Sequence, residues 1–182
     1  MARPVSDTRQ RIQDVARELF AARGVQRTSL QDIADRVGLT KPALYYHFAS
    51  REELVRSIVA PLIEDGEEFL AVNQRNRAIA PRALLEGYFD LHYRHRADLL
   101  IIVAELPTLV ELGFVDRVIA WRESLGKLIF GPRPTLAQAA RATIAFGGLQ
   151  DCCVQFPDAS ERALKAAAVA GALDALGLPR QD

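Results

Sequence analysis

Apolar residues recur every third or fourth position along nearly the whole chain, and no segment alternates apolar with polar residues as a half-buried strand must. That periodicity confines the fold to the all-α class. A first helix is expected from Asp7 to Arg23, with Ile12, Val15, Ala16, Leu19 and Phe20 on one face and Arg9, Gln13, Arg17 and Glu18 turned outward, stopped by Gly24. Thr28 or Ser29 caps a second helix, with Gln31 or Asp32 as capping-box partner and Leu30, Ile33, Ala34 and Val37 inward. Gly38 breaks the pattern, and Thr40 caps a third helix, Lys41 to Phe48, in which Pro42 falls in the first turn, where amides lack intrahelical partners anyway. Ser50 with Glu53 opens a fourth helix burying Leu54, Ile58, Leu62 and Phe69, kinked at Pro61 and ending in the polar stretch from Asn73 to Arg77.

Beyond Ala80-Pro81 the pattern predicts helices near 82–95, 97–105, 110–129, 135–156 and 159–176, separated by Pro107, the run from Gly131 to Pro134, and Phe156-Pro157. Thr135 with Gln138 and Asp158 with Glu161 are the expected caps of the last two. Those two are rich in small residues, among them Ala139, Ala142, Ala145, Gly147 and Gly148 on one and Ala166, Ala167, Ala170 and Gly171 on the other, so helix axes can approach closely. With 182 residues there is room for a small head, residues 1–50, on a larger body, residues 51–182.

The net charge of zero conceals an asymmetry: residues 1–60 carry ten Arg or Lys against seven Asp or Glu, and the remainder thirteen against sixteen. A basic head on an acidic body suits a molecule that brings one end to phosphates. No apolar run is long enough to cross a bilayer and the N-terminus lacks a signal-peptide core, so a cytoplasmic location is expected. Cys152 and Cys153, adjacent to each other and to Asp151, lack both zinc or disulfide spacing and the positive neighbours of a reactive thiolate, and read as buried and inert. His92 and His95, three apart near Asp90 and Asp98, lie among Arg94 and Arg96 with no third ligand at suitable spacing, so no metal is expected. There is no glycine-rich phosphate loop, nucleophile elbow or acid–base pair of fixed spacing, so neither an enzyme nor a cofactor is expected.

The short third helix carries the functional signal. It presents Lys41, Pro42, Ala43, Tyr45, Tyr46 and His47 while Leu44 and Phe48 turn inward, which suits entry into a DNA major groove, where polar side chains at a helix start meet base edges. Tyr46, His47 and Arg51 can donate to flanking phosphates. Taken alone, Tyr45 reads equally as a half-buried core residue.

The segments Thr-Ser-Leu-Gln-Asp-Ile-Ala, residues 28–34, and Gly-Leu-Thr-Lys-Pro-Ala-Leu-Tyr-Tyr-His-Phe-Ala-Ser-Arg-Glu-Glu-Leu, residues 38–54, resemble the tetracycline-repressor (TetR) family over roughly residues 8–58. The resemblance implies that Lys41, Pro42, Ala43 and Tyr45 face bases, that Ser29, Tyr46, His47 and Arg51 face phosphates, and that Gln31 and Thr40 contribute either way. Arg51 departs from the lysine usual in the family, and a guanidinium can meet a phosphate bidentately. It further implies a three-helix helix-turn-helix head, a helical body that dimerises through its last two long helices, a palindromic operator as partner, and a small-molecule inducer that releases it. Candidates for the inducer pocket are Phe69, Tyr88, His92, Tyr93, Phe114, Trp121, Phe146, Gln150 and Cys153, each of which also reads as core or dimer interface. An architectural DNA-binding protein without a ligand is the alternative, although it calls for a more basic body.

Overall fold

The computed structural model describes residues 5–76, 79–104, 109–110 and 113–180. Within them the chain is helical, with no strand: α1 (Val5–Arg23), a single 3-10 turn (Val25–Arg27), α2 (Leu30–Val37), α3 (Lys41–His47), α4 (Arg51–Arg75), α5 (Pro81–Arg94), α6 (Arg96–Ala104), α7 (Phe114–Phe130), α8 (Leu136–Gln155) and α9 (Glu161–Leu176). No helix among the described residues is long and apolar enough to cross a membrane. Two compact units emerge: Met1–Pro61 with Ala97–Leu112, and Leu62–Arg96 with Gly113–Asp182.

The first unit packs α2 and α3 against α1. Ile12, Ala16, Leu19 and Phe20 of α1 are buried, as are Ile33, Ala34 and Val37 of α2 and Leu44 and Phe48 at α3. Of the expected outward face of α1, Glu18 is exposed, whereas Arg9, Gln13 and Arg17 are half-buried because they fold back onto neighbouring elements. Arg9 donates to the His47 carbonyl at 2.5 Å, Gln13 to the Ser57 hydroxyl at 2.9 Å, and Arg17 to Asp98 of α6 at 2.7 Å. Arg and Gln bury their stems while placing their polar ends on a partner, so a polar residue on a helix flank is no sign of a solvated face.

In the second unit α5 lies on α8 and α9, and α8 also contacts α7. The helix expected near 110–129 instead begins at Phe114, with Gly113 as its N-cap in the left-handed conformation at φ 70°. The cap of α9 is Ser160, whose hydroxyl accepts from the Ala163 amide at 3.4 Å, and Asp158 lies beyond reach of that role. The α8 cap forms as expected, with Thr135 and Gln138 bonding reciprocally. Phe69, expected among the buried residues of α4, is only half-buried, and α4 runs without interruption through Pro61. Pro107 and Arg77 lie outside the described residues.

Large rings fill this unit by settling against glycines. A Cβ built on Gly66 of α4 would stand 2.1 Å from the Trp121 ring, and one on Gly87 of α5 would stand 2.8 Å from the Phe69 ring. An alanine in mid-helix gains about 1 kcal/mol of propensity over glycine, whereas overpacking a tight core costs about 1–3 kcal/mol and more where the neighbour is rigid. The clash therefore wins, and Gly66→Ala is expected to lower the unfolding free energy by about 2 kcal/mol, in denaturation followed by emission of Trp121, the sole tryptophan.

Candidate functional site

Local chemistry builds the exposed face of the first unit. At the start of α2, the Ser29 hydroxyl accepts from the Asp32 amide at 3.1 Å while the Asp32 carboxylate accepts from the Ser29 amide at 2.8 Å and its hydroxyl at 2.6 Å. Those bonds, the hydroxyl's first and the amide's second, hold the Asp32 carboxyl below its ordinary value. Thr28, the other candidate cap, is instead buried, its hydroxyl donating to the Gly24 carbonyl at 3.0 Å. Gly38, at φ 79°, closes α2 with its amide on the Ala34 carbonyl, and Thr40 opens α3 by accepting from the Ala43 amide at 3.3 Å.

Orientation of α3 follows from its two fully buried anchors, Leu44 and Phe48. The residues before and between them are turned outward to different degrees: Tyr46 is 80% exposed and Tyr45 42%, Lys41 and Pro42 are exposed, and Ala43 and His47 are half-buried. Two α1 arginines seal the far ends of these helices. Arg11 donates to the Val37 carbonyl at 3.2 Å, and Arg9 reaches the His47 carbonyl while lying 4.1 Å over the Phe48 ring. A cation at a helix C-terminus meets both the unpaired carbonyls and the negative end of the dipole.

Ser29, Gln31, Lys41, Tyr45 and Arg51 line one recess of about 380 Å³, together with Gln26, Arg27, Thr28 and Leu30. Lys41 Nζ sits 5.8 Å from the Tyr45 ring, and Gln31 donates to Asp35 at 2.7 Å. Thr40, Pro42, Ala43, Tyr46 and His47 are outside that lining, with Tyr46 and His47 edge to face at 5.4 Å between centroids. Arg27 was not among the expected residues, and its signal was its place two residues before the α2 cap. A recess with Lys and Arg on its walls, beside a helix held by its inner face, can take phosphate oxygens at its rim and base edges along the helix.

The nine pocket candidates of the body separate. Tyr88 is the centre of a ring cluster, with His92 at 4.1 Å, Phe146 at 4.9 Å and Phe69 at 6.4 Å between centroids. Gln150 lies on α8 and accepts from Arg122 of α7 at 2.6 Å. Tyr93 instead stacks on Phe89 at 5.5 Å and under the Arg96 guanidinium, Phe114 sits near Arg117, and Trp121 packs on Gly66. Cys153 is buried, its thiol donating to the Leu149 carbonyl at 3.3 Å, and burial first and Cys152 second push it up to about 12. Arg122 was missed, although it falls one position after Trp121 on the flank of the Phe114, Trp121 and Leu125 stripe. His92 and His95 serve different partners: His92 Nδ1 donates to the Tyr88 carbonyl at 2.9 Å, and His95 Nε2 bonds Asp65 at 2.8 Å.

Comparison with known proteins agrees with this geometry. Residues 12–58 match the sequence profile of the family described as "Bacterial regulatory proteins, tetR family". The chain is 32% identical over 104 residues to the uncharacterized HTH-type transcriptional regulator TtgW of Pseudomonas putida, an overlap of 55% of this chain and 77% of that one. It is also 32% identical over 96 residues to the HTH-type transcriptional repressor KstR2 of Rhodococcus jostii, covering 50% of this chain and 47% of the relative, so it spans about half that relative's length. In fold it is similar to a crystal structure of a transcriptional regulator (TerR/AcrR family) from Aquifex aeolicus, with a TM-score of 0.72 at 24% identity over 90% of this chain and 96% of that one.

Burial of His92 has a measurable consequence. Desolvation, the largest influence, lowers it from 6.5 to about 4, with Arg122 and His95 adding to the effect and the Tyr88 carbonyl opposing it. Between those values the unfolded chain binds a proton that the native state refuses, so stability is intact above about pH 6.5 and falls by about 3 kcal/mol as the pH drops to about 4. Urea unfolding at stepped pH is expected to show this slope in the wild type and to lose about one proton of it in His92→Phe.

Proposed function

Because the chain belongs to the tetR family of bacterial regulatory proteins, we propose that it is a cytoplasmic, sequence-specific DNA-binding transcriptional regulator, a repressor that a small-molecule inducer releases from a palindromic operator. In this reading residues 1–50 read DNA and residues 51–182 bind inducer and dimerise. One observation carries it: a short helix anchored inward by Leu44 and Phe48 that turns Lys41, Tyr45 and Tyr46 to solvent beside a recess holding Ser29, Gln31 and Arg51. Lys41, Pro42, Ala43 and Tyr45 touch base edges, Ser29, Tyr46, His47 and Arg51 meet phosphates, and Gln31 and Thr40 act at the boundary.

One helix in one groove reads too few base pairs for specificity, whereas a two-fold dimer reads half-sites about 34–36 Å apart. The outward faces of α8 and α9 support dimerisation. Leu136 is 87% exposed and Ile144 64%, and an apolar groove of about 540 Å³ runs between the helices past Ile144, Gly148, Cys152, Ala163, Ala167 and Gly171. Two copies of this surface, apposed, form a four-helix bundle whose small residues let the backbones close in. Release then requires only that the inducer favour a DNA-incompetent form by a few kcal/mol.

Selection of bound sequences from a random duplex pool at about 150 mM salt tests the reading, because non-specific phosphate binding is suppressed there. A palindrome preferred by about a thousandfold over random DNA is the expected result, and uniform weak binding overturns it. Lys41→Ala is expected to relax preference at one position of each half-site, costing about 1–3 kcal/mol, and Arg51→Ala to weaken all duplexes alike and flatten the salt dependence.

A further inference from the structure

The interior of the second unit contains donors that its own residues leave unsatisfied. Tyr88 is 1% exposed, yet its hydroxyl finds no acceptor, and the Nε of Arg122 is likewise buried without one. Leaving such a group unpaired costs about 1–3 kcal/mol, and more where it is charged. The Arg122 guanidinium has no carboxylate partner among the described residues; its hydrogen bond, from Nη2, goes to the neutral amide oxygen of Gln150 at 2.6 Å. The guanidinium bears on the phenol both by its charge and as a hydrogen-bond donor, and by its charge on His92. Around the Tyr88 ring stand those of His92, Phe146 and Phe69. The cluster is not sealed, since Arg122 and Gln150 are both half-buried.

We propose that this cluster binds the polar end of the inducer and that the inducer is a weak organic acid, its carboxylate accepting from Arg122 Nε and the Tyr88 hydroxyl while its apolar part lies against the Tyr88, Phe146 and Phe69 rings. The inference rests on the reading of the chain as an inducer-responsive regulator. A carboxylate answers both features at once. It has lone pairs for two convergent donors, and it supplies the counter-charge that a half-buried guanidinium lacks, through bonds about twice as strong as those of a neutral acceptor. Gln150 holds the guanidinium until the acid takes its place.

Trp121, adjacent to Arg122 and the sole tryptophan, reports binding directly. The full-length protein is titrated with decanoate against decanol, and with cyclohexanecarboxylate against its carboxamide, following Trp121 emission and thermal unfolding. Each acid is expected to bind at least about tenfold more tightly than its neutral twin, and Arg122→Gln to erase the difference. Tyr88→Phe is expected to weaken the acids several-fold with little change in Tm, because the hydroxyl it removes has no native acceptor. Equal binding of acids and neutral twins, acid binding that Arg122→Gln leaves unchanged, or no response to either acid overturns the proposal. Acids that bind at the cluster but leave the operator complex intact support the site and overturn the induction reading above, so the two fail separately.

Discussion

A helix of seven residues has about two turns and is far too short to persist in water by itself, so α3 exists only because the rest of its unit makes it. Leu44 and Phe48 supply the main term: burying two such side chains is worth about 1.5–3 kcal/mol each, enough to offset the cost of nucleation. Thr40 fixes the start, and Arg9 fixes the end by holding the His47 carbonyl and lying over the Phe48 ring. The same Arg9 meets Glu53, whose carboxylate also accepts from the Ala49 amide at 2.8 Å, so the end of α3 and the start of α4 share one clamp. A surface that must reach into a groove therefore owes its position to contacts on its hidden side.

Charge is distributed in the same spirit. Three acidic residues beside the exposed face sit at helix starts, Asp32 as capping-box partner of Ser29 on α2 and Glu52 and Glu53 in the first turn of α4, where the dipole favours them, and Asp35 is bonded by Gln31. Glu52, like Asp32, is held below its ordinary value by local hydrogen bonds. What the outward face then offers a polyanion is Lys41, Arg27 and Arg51 around one recess. Screening limits each charge to a reach of about 10 Å at moderate salt, so this local arrangement outweighs the zero net charge of the chain.

How much of this was legible in the sequence depended on range. Most caps and glycine stops were readable because each is settled within four residues, Ser29 with Asp32, Thr135 with Gln138, Gly24 and Gly38 with positive φ, whereas at α9 the cap is Ser160 and not the expected Asp158. The inward pair Leu44 and Phe48 was readable for the same reason, being one turn apart. The clamps were not, since Arg9 meets a carbonyl 38 residues away and Arg17 a carboxylate 81 residues away, and no local pattern marks an arginine that will fold inward from one that will not. Gly113 was missed because the hydrophobic period continues through it, and only its φ of 70° shows that the helix does not. Among the ring residues of the body, type alone could not separate Tyr88, at the centre of a cluster, from Tyr93, stacked on Phe89 near the edge.

The body sets close packing beside incomplete polar pairing. Trp121 and Phe69 settle on bare glycine backbone, and Gly126 comes within 3.1 Å of the Ala142 side chain by its would-be Cβ, the economy expected of an interior selected for density. In that setting a phenol and a guanidinium edge that lack acceptors stand out, because a phenylalanine and a methionine would fill similar space without the desolvation cost. Ordinary stability does not account for keeping them. A partner that arrives from outside does, since the free energy withheld in the empty state returns when the bonds are made, and that return is available to bias one form of the molecule over another.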